Sequence, residues 1–595
     1  MLETTLNTEF LPGTNLTGGL ACAAWRFLLP SLRAEKILCL GVPSISTLTV
    51  LSKMSHETRV ISTDAGKLEK IRVELEQLAI ANVRAIHLKA FTQLPEPDRS
   101  LSLILLLGEE KKPSRMLRDP ALLAEVDRVL KDDGVIYFEI KKLFDRFAAL
   151  KAFKKFSALG FKTARHFWLT PFSGELRTAF PLDDEAMAES LFKNVLYGQS
   201  FKMRAISRAG VLLSRTGVLK YLVPRRAALM SRSQTGENSQ PPPEYLIALA
   251  KNAGVDLAGF RCGLSARGKY NANKTIFYLF GNNRQRAEAV VKMTRAPEFN
   301  ARLENEYRVL SVLKEKGFAA PGTFPEPLFF GYHENLAILG QKAVHGAPFR
   351  SRTRATADCP IARDAIEWIV KLGVASAPKL TATPAQVGEA LMKLFRRFAQ
   401  IYPLASFEHE FLVTQIKRMS CKSTYIPVVF QHGDPGTWNM LVSEQGHVIV
   451  IDWEAGEMQG MPLWDLFYFM RTYGSWMARI QGNTDPLENF ARSFLQPSAL
   501  SALLAKTVER YCNAIGLDEK LIEPLFYTCW MHRALKESTR LTEASLEKGH
   551  YFNLLRRCIE QRQTPALSSL FSLRRNGHAR QLAEPSVIAT HELHS

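Results

Sequence analysis

The sequence predicts an α/β domain with a doubly wound parallel sheet in the N-terminal half and an α+β domain in the C-terminal half. From Glu35 onward, short apolar runs alternate with stretches of helical periodicity, which is typical of a parallel sheet covered by helices. The polar and then proline-rich stretch Ser231–Pro243 cannot form a core, so it predicts a linker between the halves. Beyond this linker, paired strand-like runs and then long helical stretches predict the α+β domain.

Length, composition and charge limit the function classes. The 595 residues leave room for roughly two to four domains, and contents of 46% hydrophobic and 23% charged residues are ordinary for a globular protein. A formal net charge of +19 favours anionic partners such as nucleotides or phosphorylated surfaces, and it gives no support for a polycationic substrate. No helix-turn-helix, zinc-finger spacing or basic-aromatic module accompanies the charge, so we expect no nucleic-acid partner.

Cysteine usage and the N-terminus predict a cytoplasmic location. The eight cysteines are scattered, without a Cys-x-x-Cys pair, which indicates a reducing compartment. The first residues, MLETTLNTEF, lack the positively charged lead of a secretory signal. No apolar run is long enough to span a bilayer.

The first half predicts five strands and two helices from periodicity alone. The predicted strands are Lys36–Leu40, Arg59–Ser62, Val83–Leu88, Leu101–Leu107 and Val135–Ile140. The predicted helices are Lys67–Ala79 and Leu122–Leu130.

Three segments, Ile37–Gly41, Leu94–Leu106 and Glu125–Glu139, make residues 30–180 resemble a class I S-adenosylmethionine-dependent methyltransferase. The resemblance implies a Rossmann-like domain that binds S-adenosylmethionine, with Asp64 at the position of the acid that binds the ribose. The loop after the first strand departs from the glycine-rich pattern, because Gly41 is followed by Val-Pro, which adds side chains and removes one N–H. We therefore expect a degenerate domain with a structural or recognition role.

A basic segment follows. Residues 202–232 contain no acid and eight basic residues: Lys202, Arg204, Arg208, Arg215, Lys220, Arg225, Arg226 and Arg232. One interpretation is a surface helix pair that packs on the first domain with its charges in solvent. The other is a basic amphipathic helix that makes a weak contact with an anionic membrane.

The stretch Val428–Trp453 carries the clearest chemistry. A short apolar run leads into a loop, and the strand-like runs Met440–Ser443 and Val448–Ile451 predict a hairpin. The hairpin returns Asp452 close to Asn439, and these two side chains offer the oxygen ligands that Mg²⁺ prefers. Asp434 lies five residues before Asn439 and is free to accept the proton of an attacking hydroxyl. The alternative is that these residues only form turns.

The pattern His432-Gly433-Asp434, four residues, Asn439, and then Ile451-Asp452-Trp453, resembles the aminoglycoside phosphotransferase and choline kinase superfamily. The resemblance implies a bilobal protein-kinase-like domain that transfers the γ-phosphoryl group of ATP, or GTP, to a hydroxyl of a small molecule. In this family Asp434 would be the catalytic base, Asn439 and Asp452 would hold Mg²⁺, and His432 would brace the loop.

The same resemblance implies a nucleotide site earlier in the chain. Gly263, Leu264 and Ser265, in a predicted loop over Cys262–Tyr270, would cover the nucleotide. Lys292 would bind its phosphates, held by a helix acid that is Glu306 or, as the second choice, Glu304. The backbone of the hinge, at Lys342 and Val344, would bind adenine. The alternative is an ordinary surface lysine and acid pair.

These assignments predict five segments: a methyltransferase-like domain at 1–200, a basic connector and linker at 201–243, an N-lobe at 244–346, a C-lobe at 347–575 and a loose tail at 576–595. Asp465, after Gly460 and Pro462, is predicted to cap a helix or contact the catalytic loop, with capping favoured. The predicted function is an ATP-dependent phosphotransferase. The alternative is an S-adenosylmethionine-dependent methyltransferase whose kinase-like half recognises the substrate.

Overall fold

The computed structural model describes residues 23–107, 119–140, 154–171, 174–182, 184–195, 201–232, 241–266, 274–282, 284–420 and 425–572. The statements below refer to these residues. None of the described helices is long and apolar enough to cross a membrane.

The first half forms the predicted parallel sheet. Its parallel strands are β1 (Ala34–Leu40), β2 (Ser55–Ser62), β3 (Val83–His87), β4 (Leu101–Leu106) and β5 (Leu130–Ile140). They pair in the order β3-β2-β1-β4-β5, so the strand order reverses between β1 and β4. This reversal defines the doubly wound class, and the predicted Rossmann-like fold is confirmed.

Helices alternate with these strands: α1 (Ile45–Met54), α2 (Ala65–Gln77) and α3 (Pro120–Val129). Each begins at a side chain that accepts a backbone N–H, namely Ser44, Asp64 and Asp119. Ile37 and Cys39 of β1 join one buried apolar cluster, while Leu38 and Leu40 join another. Both faces of the strand are therefore covered, as expected for a parallel sheet.

The sheet continues through antiparallel strands β6 (Lys162–Thr170), β7 (Thr178–Pro181) and β8 (Arg226–Ser231) in the order β5-β8-β6-β7. Strand β8 lies inside the segment predicted as a connector, and it pairs with β5 and β6, so this sheet includes residues up to Ser231. The apolar run Ala227–Met230 is buried in the sheet. Because this run is short and lies between Arg226 and Arg232, it gives no clear strand pattern in the sequence.

Between β7 and β8 lie α4 (Glu185–Ser190), a π-helical turn (Leu191–Val195), α5 (Phe201–Arg215) and α6 (Leu219–Leu222). Arg215 pairs with Glu189 at 2.7 Å, and a Cβ on Gly210 would collide with the Phe192 ring, so α5 packs closely on the first domain. This supports the surface-helix interpretation for α5. Contact of residues 202–232 with an anionic membrane stays a prediction.

The second half begins with α7 (Glu244–Asn252) and a five-stranded antiparallel sheet crossed by α8 (Asn300–Lys316). The strands are β9 (Arg261–Ser265), β10 (Lys274–Phe280), β11 (Ala289–Thr294), β12 (Pro327–His333) and β13 (Leu336–Lys342). They pair in the order β9-β10-β11-β13-β12. This unit lies within the segment 244–346 that is predicted as the N-lobe.

The two halves share one sheet. Strand β7 pairs with β9 in antiparallel register, Thr178 with Ser265 and Ala179 with Leu264, which produces a single sheet of 13 strands. Apolar residues from both halves, such as Phe27 and Leu246, belong to one buried cluster. The predicted linker therefore joins two units that are also joined by backbone hydrogen bonds.

The C-lobe is mostly helical. Its helices are α9 (Phe349–Arg352), α10 (Pro360–Ser376), α11 (Pro384–Ile401), α12 (Ser406–Ser420), α13 (Trp464–Ile480), α14 (Pro486–Phe494), α15 (Ala499–Ile515), α16 (Ile522–Ser538), α17 (His550–Glu560) and α18 (Pro565–Phe571). Its short strands are β14 (Ala347–Pro348), β15 (Thr381–Ala382), β16 (Ile426–Pro427), β17 (Val429–Gln431), β18 (Met440–Val442), β19 (Val448–Val450) and β20 (Glu457–Gly460). Helices α13 and α16 run through one large apolar core. The predicted tail at 576–595 lies outside the described residues.

Candidate active site

The predicted hairpin positions the two candidate metal ligands. Strands β18 and β19 pair in antiparallel register, with Met440 opposite Val450. The Ile451 N–H donates to the Asn439 carbonyl oxygen at 2.9 Å. Asn439 and Asp452 therefore lie side by side at the open end of the hairpin, and both line the same cleft.

The loop before the hairpin is held by Asp465. Its carboxylate accepts the His432 N–H at 2.6 Å and the Gly433 N–H at 3.0 Å. Residue Leu463, which precedes α13, makes no capping hydrogen bond, and Asp465 lies within the first turn. The favoured expectation that Asp465 caps a helix is therefore wrong, because its carboxylate binds the loop that carries His432, Gly433 and Asp434. Burial raises the pKa of Asp465 to about 6, against the opposing charge of Arg533.

His432 is fully buried and braces the loop. Its Nδ1 accepts the Asp434 N–H at 3.2 Å, so its Nε2 is left to donate to the Ile451 carbonyl oxygen at 3.0 Å. Burial lowers the pKa of His432, which favours this neutral form. Both ring nitrogens are occupied by backbone groups, so proton exchange with a substrate is not the role of this histidine.

Asp434 has an oriented carboxylate that remains partly exposed. The Asn439 side-chain N–H donates to the Asp434 backbone oxygen at 2.9 Å and to Oδ2 at 3.1 Å. Arg533 approaches Oδ1 at 3.5 Å. Because Asn439 uses its nitrogen in these bonds, its amide oxygen can face a metal ion.

Asp452 is paired with two buried lysines. Its Oδ1 bonds Lys274 and lies 3.2 Å from the Lys292 nitrogen. Burial alone would raise the pKa of Asp452, but the charges of Lys274 and Lys292 outweigh it and hold this pKa well below the usual range. Lys274 also lies 3.3 Å from Glu454.

The predicted Lys292–Glu306 pair forms at 2.5 Å, with Glu306 completely buried. Gln341 and the Trp453 N–H also donate to the same Glu306 oxygen, at 3.0 and 3.3 Å. Glu304 instead accepts the exposed Tyr332 hydroxyl on the outside of α8. Of the two predicted acids, the structure places Glu306 beside Lys292.

Lys274 is a site residue that the sequence reasoning missed. It begins β10 and reaches Asp452 although the two residues are 178 positions apart. A lysine at the start of an apolar strand is common and carries no specific signal. Only the pairing of β10 with β11 brings it next to Lys292.

The cleft that contains these groups has a volume of about 1360 Å³. Lys274, Lys292, Lys342 and Val344 line it. The Lys342 N–H already donates to the Glu326 carbonyl oxygen at 2.8 Å, which leaves Val344 as the better candidate to donate to a base. Adenine binding by this hinge stays a prediction.

Gly263, Leu264 and Ser265 form strand β9 and not the predicted loop, and their covering of a nucleotide stays a prediction. Leu264 is buried, and a Cβ on Gly263 would lie 2.7 Å from the Phe180 ring, so this glycine serves close packing rather than a turn. Only Ser265 of the three lines the cleft. Residues 267–270 of the predicted loop lie outside the described residues.

The N-terminal half supplies one side of the same cleft. Side chains from α4, α5 and their surroundings line it: Phe180, Glu185, Glu189, Lys193 and Arg215. The site is therefore built by both halves of the chain.

The candidate cofactor residues of the first half are engaged by protein groups. The Gly41 N–H donates to the Ile61 carbonyl oxygen at 2.8 Å. Asp64 accepts the Lys67 N–H at 3.1 Å and caps α2. Asp64 therefore has a structural reason to be present, and binding of S-adenosylmethionine stays a prediction.

The chain is similar to several known proteins. Residues 271–502 match the model of the phosphotransferase enzyme family. The crystal structure of aminoglycoside-3'-phosphotransferase of type VIII is 18% identical and covers 47% of this chain and 94% of its own, with a TM-score of 0.31. A putative sarcosine dimethylglycine methyltransferase from Galdieria sulphuraria is 17% identical and covers 36% of this chain and 85% of its own, with a TM-score of 0.22. A SAM dependent methyltransferase from Aquifex aeolicus is 15% identical and covers 26% and 92%, with a TM-score of 0.20. No curated protein matches the sequence.

Proposed function

We propose that this chain, whose residues 271–502 match the phosphotransferase enzyme family, transfers the γ-phosphoryl group of ATP or GTP to a hydroxyl of a small molecule. The observation that carries the proposal is the convergence of Lys292, Asp434, Asn439 and Asp452 on one cleft and its adjoining loop. Phosphoryl transfer needs such positioning and charge neutralisation, and little covalent work by the protein.

Asp434 is the proposed general base. Asn439 orients its Oδ2, and the carboxylate is close enough to the protein surface to meet an incoming hydroxyl. In the transfer it would accept the hydroxyl proton as the oxygen attacks the γ-phosphorus.

The donor set fits Mg²⁺. Among the described residues no group of three or more His, Cys, Asp or Glu side chains could hold a metal, so Asn439 and Asp452 would supply two oxygens and the substrate phosphates the rest. The low pKa of Asp452 keeps this ligand ionised at neutral pH. Magnesium, when bound, would neutralise the charge of the phosphates.

Lys292 would bind the nucleotide phosphates, held in place by Glu306. Lys274 adds a second ammonium group in the same cleft. The six cysteines among the described residues are free, buried thiols, as expected in a reducing compartment. We also propose a cytoplasmic location.

The test compares Asp452→Asn and Asp434→Asn with the unchanged chain. We expect each to lower ATP turnover by about 10³-fold or more, because each removes a carboxylate charge that the transfer requires. Turnover is measured as ADP release over a panel of hydroxyl compounds, beside a thermal melt that shows each variant is folded.

The matched control is Asp364→Asn. Asp364 accepts the Val448 N–H at 2.7 Å at the other end of the same hairpin and does not line the cleft. This variant should keep its turnover. Full turnover in folded Asp452→Asn would refute the proposed metal site.

A further inference from the structure

A partly buried cluster of basic and aromatic side chains lies beside Asp434 in the C-lobe. We call it the acceptor wall, and it consists of Arg350, Trp438, Tyr468, Arg471, Arg479 and Arg533. Its residues come from α9, the loop that carries Asp434, α13 and α16. The chemistry of this wall bears on what the acceptor carries.

The wall begins at the catalytic base. Arg533 lies 3.5 Å from Asp434 Oδ1, and its guanidinium carbon lies 3.4 Å from the centroid of the Tyr468 ring. The Trp438 ring meets Tyr468 edge-on, with centroids 6.3 Å apart. Trp438 is 47% exposed and lines the cleft. A compound bound against these rings would lie next to Asp434.

Arg350 is hydrogen-bonded to the loop that carries Asp434. Its Nε donates to the Thr437 hydroxyl at 2.9 Å, and its guanidinium carbon lies 5.6 Å from the Trp438 ring centroid. The neighbouring Arg352 lines the cleft together with Trp438. The hydrogen bond to Thr437 uses one of the five N–H donors of Arg350.

Arg471 and Arg479 extend the wall along α13, on the same helical face as Tyr468. Arg471 bonds His550 at 2.5 Å and lies 4.9 Å from the Tyr551 ring centroid. Its Nε is buried without a hydrogen-bond partner among the described residues. A buried guanidinium donor of this kind is a ready site for an oxygen anion.

The positively charged side chains of the wall repel one another. Burial and the charges of Arg479 and Arg471 lower the pKa of Arg350. Burial and the same two charges lower the pKa of His550 to about 3, so this histidine is neutral. In the described chain, no carboxylate lies within 4.0 Å of Arg350, Arg471 or Arg479.

The acids nearest to this cluster have other partners. Glu537 receives the Tyr551 N–H at 2.8 Å, and burial raises its pKa, with Arg471 opposing that shift. Asp485 caps α14, and its negative charge opposes the lowering of the His550 pKa. Gathered guanidinium groups without a paired carboxylate repel one another, and a bound anion would relieve that repulsion.

We propose, on the basis of the phosphoryl transfer proposed above, that the acceptor is a hydroxyl compound carrying a phosphate, sulfate or carboxylate group. Arg350 and Arg471 bind that anionic group, and Trp438 contacts the body of the compound. In the reaction the hydroxyl oxygen bonds to the γ-phosphorus, the bond from that phosphorus to the β,γ-bridging oxygen breaks, the nucleoside diphosphate leaves, and Asp434 receives the hydroxyl proton. A cationic acceptor is disfavoured by the same charges.

The experiment measures sulfate binding by the full chain when the nucleotide site is already occupied. The protein is saturated with a non-hydrolysable ATP analogue and Mg²⁺, and sodium sulfate is titrated at constant ionic strength, with chloride as the balancing anion. Tryptophan fluorescence, to which Trp438 contributes, reports binding. We expect saturable binding that Arg350→Gln and Arg471→Gln each weaken at least 10-fold, while affinity for the analogue is unchanged.

The matched control is Arg492→Gln, an exposed arginine of α14 that pairs with Glu488. It should bind sulfate as the unchanged chain does. Absence of saturable sulfate binding, or equal binding by Arg350→Gln and Arg471→Gln, overturns the anionic-acceptor proposal. Failure of the nucleotide analogue to bind would instead remove the phosphotransferase proposal on which it rests.

A competition arm identifies the anionic group. Glycerol 3-phosphate, glycerate, glycerol and choline are each added to the sulfate complex. We expect glycerol 3-phosphate, glycerate or both to displace sulfate, and which of them does so distinguishes a phosphate from a carboxylate. We expect glycerol to displace none. Displacement by choline that matches that of the anions would contradict the proposal.

Discussion

Single residues decide how the buried charge of Asp452 is balanced. Two lysines from neighbouring strands contact one of its oxygens, and Glu454 shares Lys274. Removing one partner from a buried ionic group leaves charge without compensation. Lys274 is therefore as important for the folded cleft as it is for any bound phosphate.

For Lys274→Met we expect the free energy of unfolding to fall by about 1.5–3 kcal/mol at pH 7, because a hydrogen bond to a charged group is lost and Glu454 remains. Urea denaturation measures this change. Asp452→Asn alone and the double variant complete a mutant cycle, in which the pair should show coupling of at least about 0.5 kcal/mol. Additive effects would contradict direct pairing.

Asp465 makes stability depend on pH in a known direction. With a pKa near 6, its folded form binds a proton more readily than the unfolded chain, so its contribution to stability falls as pH rises from about 4 to 7. The unfolding free energy of the unchanged chain minus that of Asp465→Asn should therefore fall by about 1–3 kcal/mol as pH rises over that interval. Melts at half-unit pH steps measure it, and a flat difference would contradict the assignment.

The sequence predicted Asp434, Asn439, Asp452, Lys292 and Glu306 because each belongs to a short local pattern. Arg533 and Lys274 could not be predicted, because their contacts depend on how distant helices and strands pack. Asp465 was found but given the wrong role, since a first-turn acid has the same local pattern whether it caps its helix or binds a loop.

Helices and strands were predicted best where the hydrophobic periodicity extends over many residues. Strands β1 to β5 and helices α2 and α3 lie close to their predicted positions. Strand β9 was mistaken for a loop because glycine signals both a turn and a close approach, and here Phe180 requires the approach. Strand β8 was missed because its four apolar residues stand between arginines.

Helices α5 and α6 leave apolar side chains in solvent. Leu212, Val218, Tyr221 and Leu222 are more than two-fifths exposed, with Lys220 among them. Such a surface is compatible with the proposed weak contact with an anionic membrane. The packing of α5 on the first domain limits that contact to its outer face.

At the scale of the whole molecule, the shared sheet makes the two halves one unit. Thr178 and Ala179 pair with Ser265 and Leu264, so removal of either half would expose an unpaired strand edge. The pairing of β7 with β9 could not be predicted from the sequence, because strand partners leave no trace in local composition.

We expect that cutting an engineered protease site between residues 233 and 240 leaves the two pieces associated. The β7–β9 hydrogen bonds and the common apolar cluster should hold them together at micromolar concentration. Size-exclusion chromatography measures association, and ATP turnover should stay within about twofold, because Phe180 and Arg215 still line the cleft. The uncut chain is the control, and separate elution of the pieces would contradict the expectation.

The side of the cleft that is formed by Phe180, Glu189 and Arg215 has a consequence for inhibitor chemistry. A protein that consists of the C-terminal half alone has no such surface. An inhibitor that occupies this cleft and extends toward these three side chains would gain contacts that the C-terminal half alone does not offer, so selectivity can be sought at the side of the cleft that the N-terminal half forms.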